Sequence, residues 1–251
     1  TQLEYGIRYL DIRLSQPDDK SQSIRVVHGL YGLDLESALS AVQRYATLHK
    51  TELILLDFNH FYSITLEQHN TIVDKIGEIF KDLLCPRMKD ISFLNLADCW
   101  SKRHNIIVIY HANIDRETLW AADSIKSPWP DTDKIDRLLI YTKDAILYRP
   151  KTKLSFYNCQ GILTPKLSDV MGWNSRSLAQ FSRLVPLCYT NLITENWDDF
   201  KRNLNIISLD FVDDDFTNFV NTNVFPSDHR EMHLRLGKRL FYDCCFNISG
   251  L

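Results

Sequence analysis

Five apolar runs in this 251-residue chain end on polar residues of a restricted kind. Tyr9-Leu10-Asp11-Ile12-Arg13 closes on an Asp-x-Arg pair, and Val26-Val27-His28-Gly29 on a histidine. Leu56-Asp57-Phe58-Asn59-His60 supplies Asp, Asn and His, Ile109-Tyr110-His111 a further histidine, and Ser208-Leu209-Asp210-Phe211 an aspartate. Strand alternation puts Asp11 and Arg13 on one face, with Tyr9 below them. Each residue has an ordinary structural use. An Asp-x-Arg pair is a common ion pair, a lone His can fill a core, Asp57 or Asp210 can cap a following helix, and Asn59 with His60 can shape a loop. Their recurrence at the same end of successive apolar runs points instead to a site.

Phosphodiester cleavage is the chemistry these residue types suit. An arginine fork holds two phosphate oxygens with parallel hydrogen bonds and a permanent charge. A histidine titrates near neutrality and can protonate a leaving alkoxide. A carboxylate can orient a second, basic histidine. No cluster in the sequence offers the several hard oxygen ligands that calcium needs, so neither metal nor cofactor is expected.

The elements that must position these residues alternate between apolar runs and helical patterns. Strands are expected over 6–13, 24–28, 53–58, 106–110, 156–163 and 206–212. Leu53-Ile54-Leu55-Leu56 and Ile106-Ile107-Val108-Ile109 are continuously apolar, as parallel strands covered on both faces are. Asp34 is placed to cap a helix whose inner face is Leu35, Leu39, Val42 and Ala46. Thr65 and Gln68 are spaced for a capping box, ahead of a helix burying Ile72, Ile76, Ile79, Phe80 and Leu83 and stopped by Pro86. Further helices are expected over 134–148 and 213–224. Repeated βα units imply an α/β barrel in one domain.

Composition sets the outer limits. With 45% hydrophobic and 24% charged residues the chain is globular, and a net charge of −3 gives no general affinity for nucleic acid. No apolar run reaches the ~18–20 residues that span a bilayer. The six cysteines form no C-x-x-C pair and read as reduced thiols. The chain opens on Thr1-Gln2-Leu3-Glu4, which reads as the middle of a helix, so the N-terminus is expected to lie upstream.

The strings Tyr5-Gly6-Ile7-Arg8-Tyr9-Leu10-Asp11-Ile12-Arg13, Val27-His28-Gly29-Leu30-Tyr31-Gly32 and 52–62 (ELILLDFNHFY) resemble one family. So do Leu84-Cys85-Pro86, Ile109-Tyr110-His111, Pro128-Trp129, Leu163-Thr164-Pro165-Lys166 and 205–212 (NIISLDFV), all in the same order. It is the phosphatidylinositol-specific phospholipase C X-domain-containing proteins, animal relatives of the bacterial phosphatidylinositol phospholipases C. The resemblance implies a TIM-like (β/α) barrel of that type over 1–224, incomplete for lack of its first strand, with 225–251 as a C-terminal extension. It implies cleavage of phosphatidylinositol-like lipids to diacylglycerol and a cyclic inositol phosphate, without calcium.

Carried over by position, Arg13 resembles the phosphate-binding arginine and Asp11 the acidic residue beside it. His28 resembles the general acid, and Asp210 the carboxylate that orients the basic histidine. Asn59 and His111 fall where relatives place inositol-contacting residues, though with other residue types, and Asp57 and Tyr110 join them as substrate-binding. Calcium-dependent relatives carry an acidic metal ligand at the place of Arg13. The family's Gly-x-His-Asp-Ser-like string, which holds the basic histidine, does not occur in these residues. The alternative is therefore a catalytically inactive module that binds inositides. The partners expected are a phosphoinositide lipid and a membrane surface, met from the cytoplasm without a spanning helix. The stretch 229–242, with Arg230, Arg235, Lys238 and Arg239 set against Met232, Leu236, Leu240 and Phe241, is a candidate basic amphipathic helix for that contact.

Overall fold

The computed structural model describes residues 2–19, 22–88, 91, 94–114, 116–149, 155–166, 177–201, 203–212, 214–220 and 222, and the backbone of 241–244. The chain divides into two compact units, one spanning Arg8–Ser124 and the other spanning Ile125–Cys245 with the first seven residues. Residues 2–4, read above as helix, lie in the hydrogen-bonded turns of 2–6, with Gly6 N–H donating to the Leu3 carbonyl and Ile7 N–H to that of Gln2.

In the first unit, β1 (Tyr9–Ser15), β2 (Arg25–His28), β3 (Leu30–Asp34), β4 (Ile54–Tyr62), β5 (Ile106–Tyr110) and β6 (Trp120–Ala121) form one sheet. Its order is β3-β2-β1-β4-β5-β6. Strands β1, β4, β5 and β6 run parallel. The apolar runs of β4 and β5 are buried throughout from Ile54 to Phe58 and from Ile106 to Tyr110, as covering on both faces requires. In β1 the apolar set Leu10, Ile12 and Leu14 is buried, and Asp11 and Arg13, on the other face, are half-buried.

The expectation of parallel strands fails at one edge. β2 and β3 form a tight antiparallel hairpin about Gly29, whose φ of +73° suits a residue without Cβ, and β2 lies antiparallel to β1. The Leu30–Asp34 strand went unread because exposed Leu30, Tyr31 and Leu33 break the pattern of a half-buried strand.

The helices are capped as the sequence predicts. Asp34 accepts the Ser37 N–H at 2.9 Å to start α1 (Leu35–Leu48), which buries Leu35, Leu39, Val42 and Ala46. Thr65 and Gln68 form the reciprocal box at the start of α2 (Leu66–Phe80). That helix ends at Phe80, before the predicted Pro86 stop, because Lys81 turns to φ +46° and a short 3₁₀ turn follows. Leu83 is consequently only half-buried.

The second unit holds β7 (Ile125–Lys126), β8 (Phe156–Gly161), β9 (Ile206–Leu209) and β10 (Phe241–Cys244), all parallel, in the order β10-β9-β8-β7. Phe241 and Tyr242, assigned above to an amphipathic helix, stand in a strand beside β9. The rest of that candidate helix lies outside the described residues. Among the described residues no helix is long and apolar enough to cross a membrane.

Gly161, at the end of β8, is fixed by packing. A Cβ there would fall 2.2 Å from Leu209 Cδ2 and 2.7 Å from Tyr189 Cζ. Neither neighbour can retreat, since both are fully buried and the Tyr189 hydroxyl meets Thr142 Oγ1 at 2.5 Å. Gly161→Ala is expected to cost about 1–3 kcal/mol of stability, the usual scale of core overpacking. Urea titration of the variant against the parent checks this, and an unchanged midpoint would refute it.

Candidate functional site

Two arginines, Arg8 just before β1 and Arg13 within it, have opposite fates. Arg8, at its foot, is fully engaged. Its Nε donates to Glu52 Oε2 at 2.8 Å, its guanidinium donates to the Tyr45 hydroxyl at 2.6 Å, and it lies over the Tyr45 ring. Arg13, near the top, pairs with Asp11 at 3.6 Å, and its buried Nε makes no hydrogen bond. A buried guanidinium N–H without a partner is an uncommon expense, because the desolvated donor gains nothing in return.

The parallel register of β1 and β4 sets Asp11 directly beside Asp57. Asp57 is 1% exposed, and Tyr9, two residues before Asp11, donates its hydroxyl to Asp57 Oδ2 at 2.7 Å. The other oxygen, Oδ1, lies 2.7 Å from His111 Nε2, out of line for a hydrogen bond. Asp57 thus lies within β4 and not at its end, and its carboxylate is held between a phenol and an imidazole. It does not cap a helix.

Beyond Asp57 the register slips. Ile12 pairs with Phe58, but Arg13 pairs with His60, so Asn59 is the extra residue of a β-bulge. Bulges re-aim side chains, and this one brings Asn59 within hydrogen-bond reach of both Asp11 and His60. The Asn59 side chain hydrogen-bonds the Asp11 carboxylate and meets His60 Nδ1 at 2.6 Å.

The electrostatics follow from this crowding. Burial pushes the Asp11 carboxyl above the usual carboxylate range, and neighbouring Asp57 adds to the effect; Arg13, the hydrogen bond from Asn59 and His60 pull the other way. His28, at the end of β2, is held below the usual histidine range by burial and then by the charge of Arg13, with Asp11 opposing. One arginine faces two carboxylates, so with its histidines neutral the cluster does not favour an anion. Protonation of His28, beside Arg13, would favour an anion there. Among the described residues no three His, Cys, Asp or Glu side chains are grouped to hold a metal ion.

Tyr110 does not join this group. Its partner in the register is Phe58, one position out of phase with Asp57 and His111. Its hydroxyl meets His69 Nδ1 on α2 at 2.8 Å, its ring packs on Phe61, and burial raises its pKa. The substrate-binding place given to it by the sequence belongs to the opposite face of the sheet.

Asp210 stands just beyond β9 in the second unit, where it is buried. A polar ladder that the sequence reading missed precedes it. Ser208 Oγ donates to Asn158 Oδ1 at 2.7 Å, and Asn158 Nδ2 to Ser127 Oγ at 2.9 Å. Gln160 Nε2 reaches the Ser127 carbonyl at 3.0 Å. The period-two spacing Asn158-x-Gln160 inside an otherwise buried strand was the available signal.

Comparison with known proteins places this arrangement. Residues 1–112 match the family described as phosphatidylinositol-specific phospholipase C, X domain. Mouse PI-PLC X domain-containing protein 2 is 32% identical over 219 residues, which is 84% of this chain and 63% of that protein. PI-PLC X domain-containing protein 3 of Bos taurus is 31% identical over 84% of this chain and 66% of its own length. The chain thus spans just under two thirds of these relatives.

Among solved structures, the phosphatidylinositol-specific phospholipase C of Listeria monocytogenes superposes with a TM-score of 0.66 at 14% identity, over 87% of this chain and 79% of that one. One from Staphylococcus aureus gives 0.57 at 15% identity, over 78% and 71%. At such identities the likeness establishes the fold, an α/β structure of the TIM-barrel type, as the apolar runs and their strand-end residues lead one to expect. The chain belongs to the family of PI-PLC X domain-containing proteins.

Proposed function

We propose that this chain carries the phosphate-binding and proton-donating half of a phospholipase C-type phosphodiesterase acting on phosphatidylinositol-like lipids without calcium. The observation that carries the reading is Arg13: a half-buried side chain beside Asp11 whose buried Nε has no hydrogen-bond partner. A phosphodiester oxygen satisfies that donor and brings the negative charge that the guanidinium favours. In the displacement, a hydroxyl of the headgroup gives its proton to the general base of the other half as it attacks phosphorus, and the bond to the diacylglycerol oxygen breaks. Negative charge then builds on the non-bridging oxygens, where a fixed guanidinium stabilises it. His28 supplies the proton that the departing oxygen takes up.

Asp11 pairs with Arg13, and Asp57, bonded by Tyr9, lies 2.7 Å from His111 on the same face. Asp210, in the other unit, is given no step here. The fixed charge of Arg13 is what makes a divalent cation dispensable in this reading, since it can do the same electrostatic work. On this reading the protein works at a membrane surface, and the cytoplasmic side is proposed for it.

Release of inositol phosphate from phosphatidylinositol vesicles, measured with the full-length protein in excess chelator, tests the reading. Turnover in chelator, unchanged on adding calcium, is expected. Complete loss in chelator with restoration by calcium overturns the metal-independent mechanism, and absence of turnover under both conditions overturns the enzyme in favour of an inositide-binding module.

A further inference from the structure

Two cysteines with no part in the site above face each other. Cys85 Sγ and Cys99 Sγ lie 4.0 Å apart, in hydrogen-bond contact, and both residues are buried free thiols.

The chain brings them together where β5 begins. Cys85 follows the 3₁₀ turn after α2. Its N–H donates to the Ile106 carbonyl at 2.7 Å, and its carbonyl accepts the Trp120 Nε1–H at 2.9 Å, which ties it to both β5 and β6. Cys99 lies in α3 (Leu96–Lys102), the short helix that leads into β5, and its carbonyl accepts the His104 N–H at 2.8 Å. With both backbones anchored, the sulfurs stay within reach of one another. Side-chain rotation is what must close the 4.0 Å gap to a disulfide bond length of about 2.0 Å.

The two thiols are not equivalent. The contact with Cys85 lowers the pKa of Cys99; burial and Asp98 oppose this, and Lys102, one turn on, assists it. The same contact, and then burial, push the Cys85 thiol up. When one proton leaves the pair, it leaves from Cys99. A thiolate with a second thiol beside it is the arrangement in which a sulfenic acid condenses to a disulfide. Neither sulfur is at the surface, but their sequence neighbours Pro86, Arg87, Ala97 and Asp98 are exposed. A small oxidant needs only a local opening of these short segments to reach them.

We propose that Cys85 and Cys99 form a redox modification site, which a hydroperoxide converts into an intramolecular disulfide. The Cys99 thiolate attacks one peroxide oxygen and the O–O bond breaks. Cys99 is left as a sulfenic acid, and the other oxygen departs as water, or as an alcohol from an organic peroxide, with the proton that Cys99 gave up. The Cys85 sulfur then attacks the Cys99 sulfur, the S–O bond breaks, and that oxygen leaves as water with the Cys85 proton. The two thiols together lose two electrons and the peroxide gains them. The product closes a ring over residues 85–99 and ties α3 to the start of β5, the end of that strand away from His111. The site is thus separate from the phosphodiester chemistry and stands whether or not that reading holds.

Hydrogen peroxide added to the full chain tests the proposal. Free thiols are blocked afterwards with iodoacetamide in denaturant, and the digest is mapped by mass spectrometry. A linked Cys85–Cys99 peptide is expected, split by dithiothreitol into two free thiol peptides. Cys159, whose thiol burial pushes up to about 12, should remain alkylated and serves as the internal control.

Cys85→Ser should leave Cys99 as a sulfenic acid that dimedone traps, whereas Cys99→Ser should give no dimedone adduct on Cys85. Recovery of both Cys85 and Cys99 as alkylated peptides after peroxide overturns the proposal. So does Cys99 carried on to the sulfinic acid in the parent, or either cysteine linked to a different one. These outcomes are read from the parent chain and hold even where a variant fails to fold. A dimedone adduct on Cys85 in folded Cys99→Ser overturns the assignment of Cys99 as the attacking sulfur.

Discussion

His28→Ala is expected to lower the rate of phosphatidylinositol cleavage by about 10²- to 10⁴-fold, the usual worth of a general acid. The size depends on the leaving group. A diacylglycerol oxygen leaves as a strongly basic alkoxide and needs a proton as it departs, whereas a phenol with an acidic hydroxyl does not. With an inositol phosphodiester of such a phenol, the same variant should lose far less.

The pH profile carries the second half of the argument. Burial first, and the Arg13 charge next, hold His28 below the usual histidine range in the free protein, while Asp11 opposes them. An acid must be protonated to act, so kcat/KM should fall as pH rises through that lowered value. A bound phosphodiester brings one negative charge that offsets the Arg13 charge, which raises the His28 pKa in the complex. The fall in kcat should therefore lie at higher pH than the fall in kcat/KM. In His28→Ala both limbs should disappear. Equal losses on the two substrates, or a pH limb that survives the substitution, would show that His28 is not the acid.

Much of this site was legible because strand periodicity and burial act together. Asp11 and Arg13 could be placed on one face from alternation alone, and the continuous apolar run before Asp57 required a strand covered on both sides. Several features escaped for physical reasons. The Leu30–Asp34 strand carries exposed apolar residues, so its pattern is not that of burial. Tyr110 follows a run that is buried on both faces, where nothing in the sequence tells the phase of alternation, and it faces His69 and not His111.

The bulge at Asn59 is a property of two strands together. It arises from the slip between Ile12–Phe58 and Arg13–His60, and neither strand's residues announce it alone. Without the bulge, strict alternation would separate Asn59 from His60. With it, Asn59 reaches both Asp11 and His60. The same limit hid Tyr9, whose hydroxyl partner on β4 is set by register and not by its own neighbours.

Arg13→Lys should reduce turnover by about 10²- to 10³-fold even though the charge is kept, the scale of losing one donor aimed at the transition state. The guanidinium presents a planar fork that can engage two phosphate oxygens while Asp11 steadies it from 3.6 Å. An ammonium is a point charge on a flexible stem, and its donors cannot match two oxygens whose positions shift as the bond to the leaving group lengthens. The loss should therefore fall mainly on kcat, because the ground-state phosphodiester carries one diffuse charge that an ammonium meets nearly as well.

Arg8, just before the same strand, is the control. Its guanidinium is occupied by Glu52 and Tyr45, so Arg8→Lys should lower stability while the turnover of the folded fraction stays as in the parent. If Arg13→Lys raises KM alone and leaves kcat untouched, the guanidinium only gathers substrate, and the charge that builds on phosphorus during cleavage must be met by some other group.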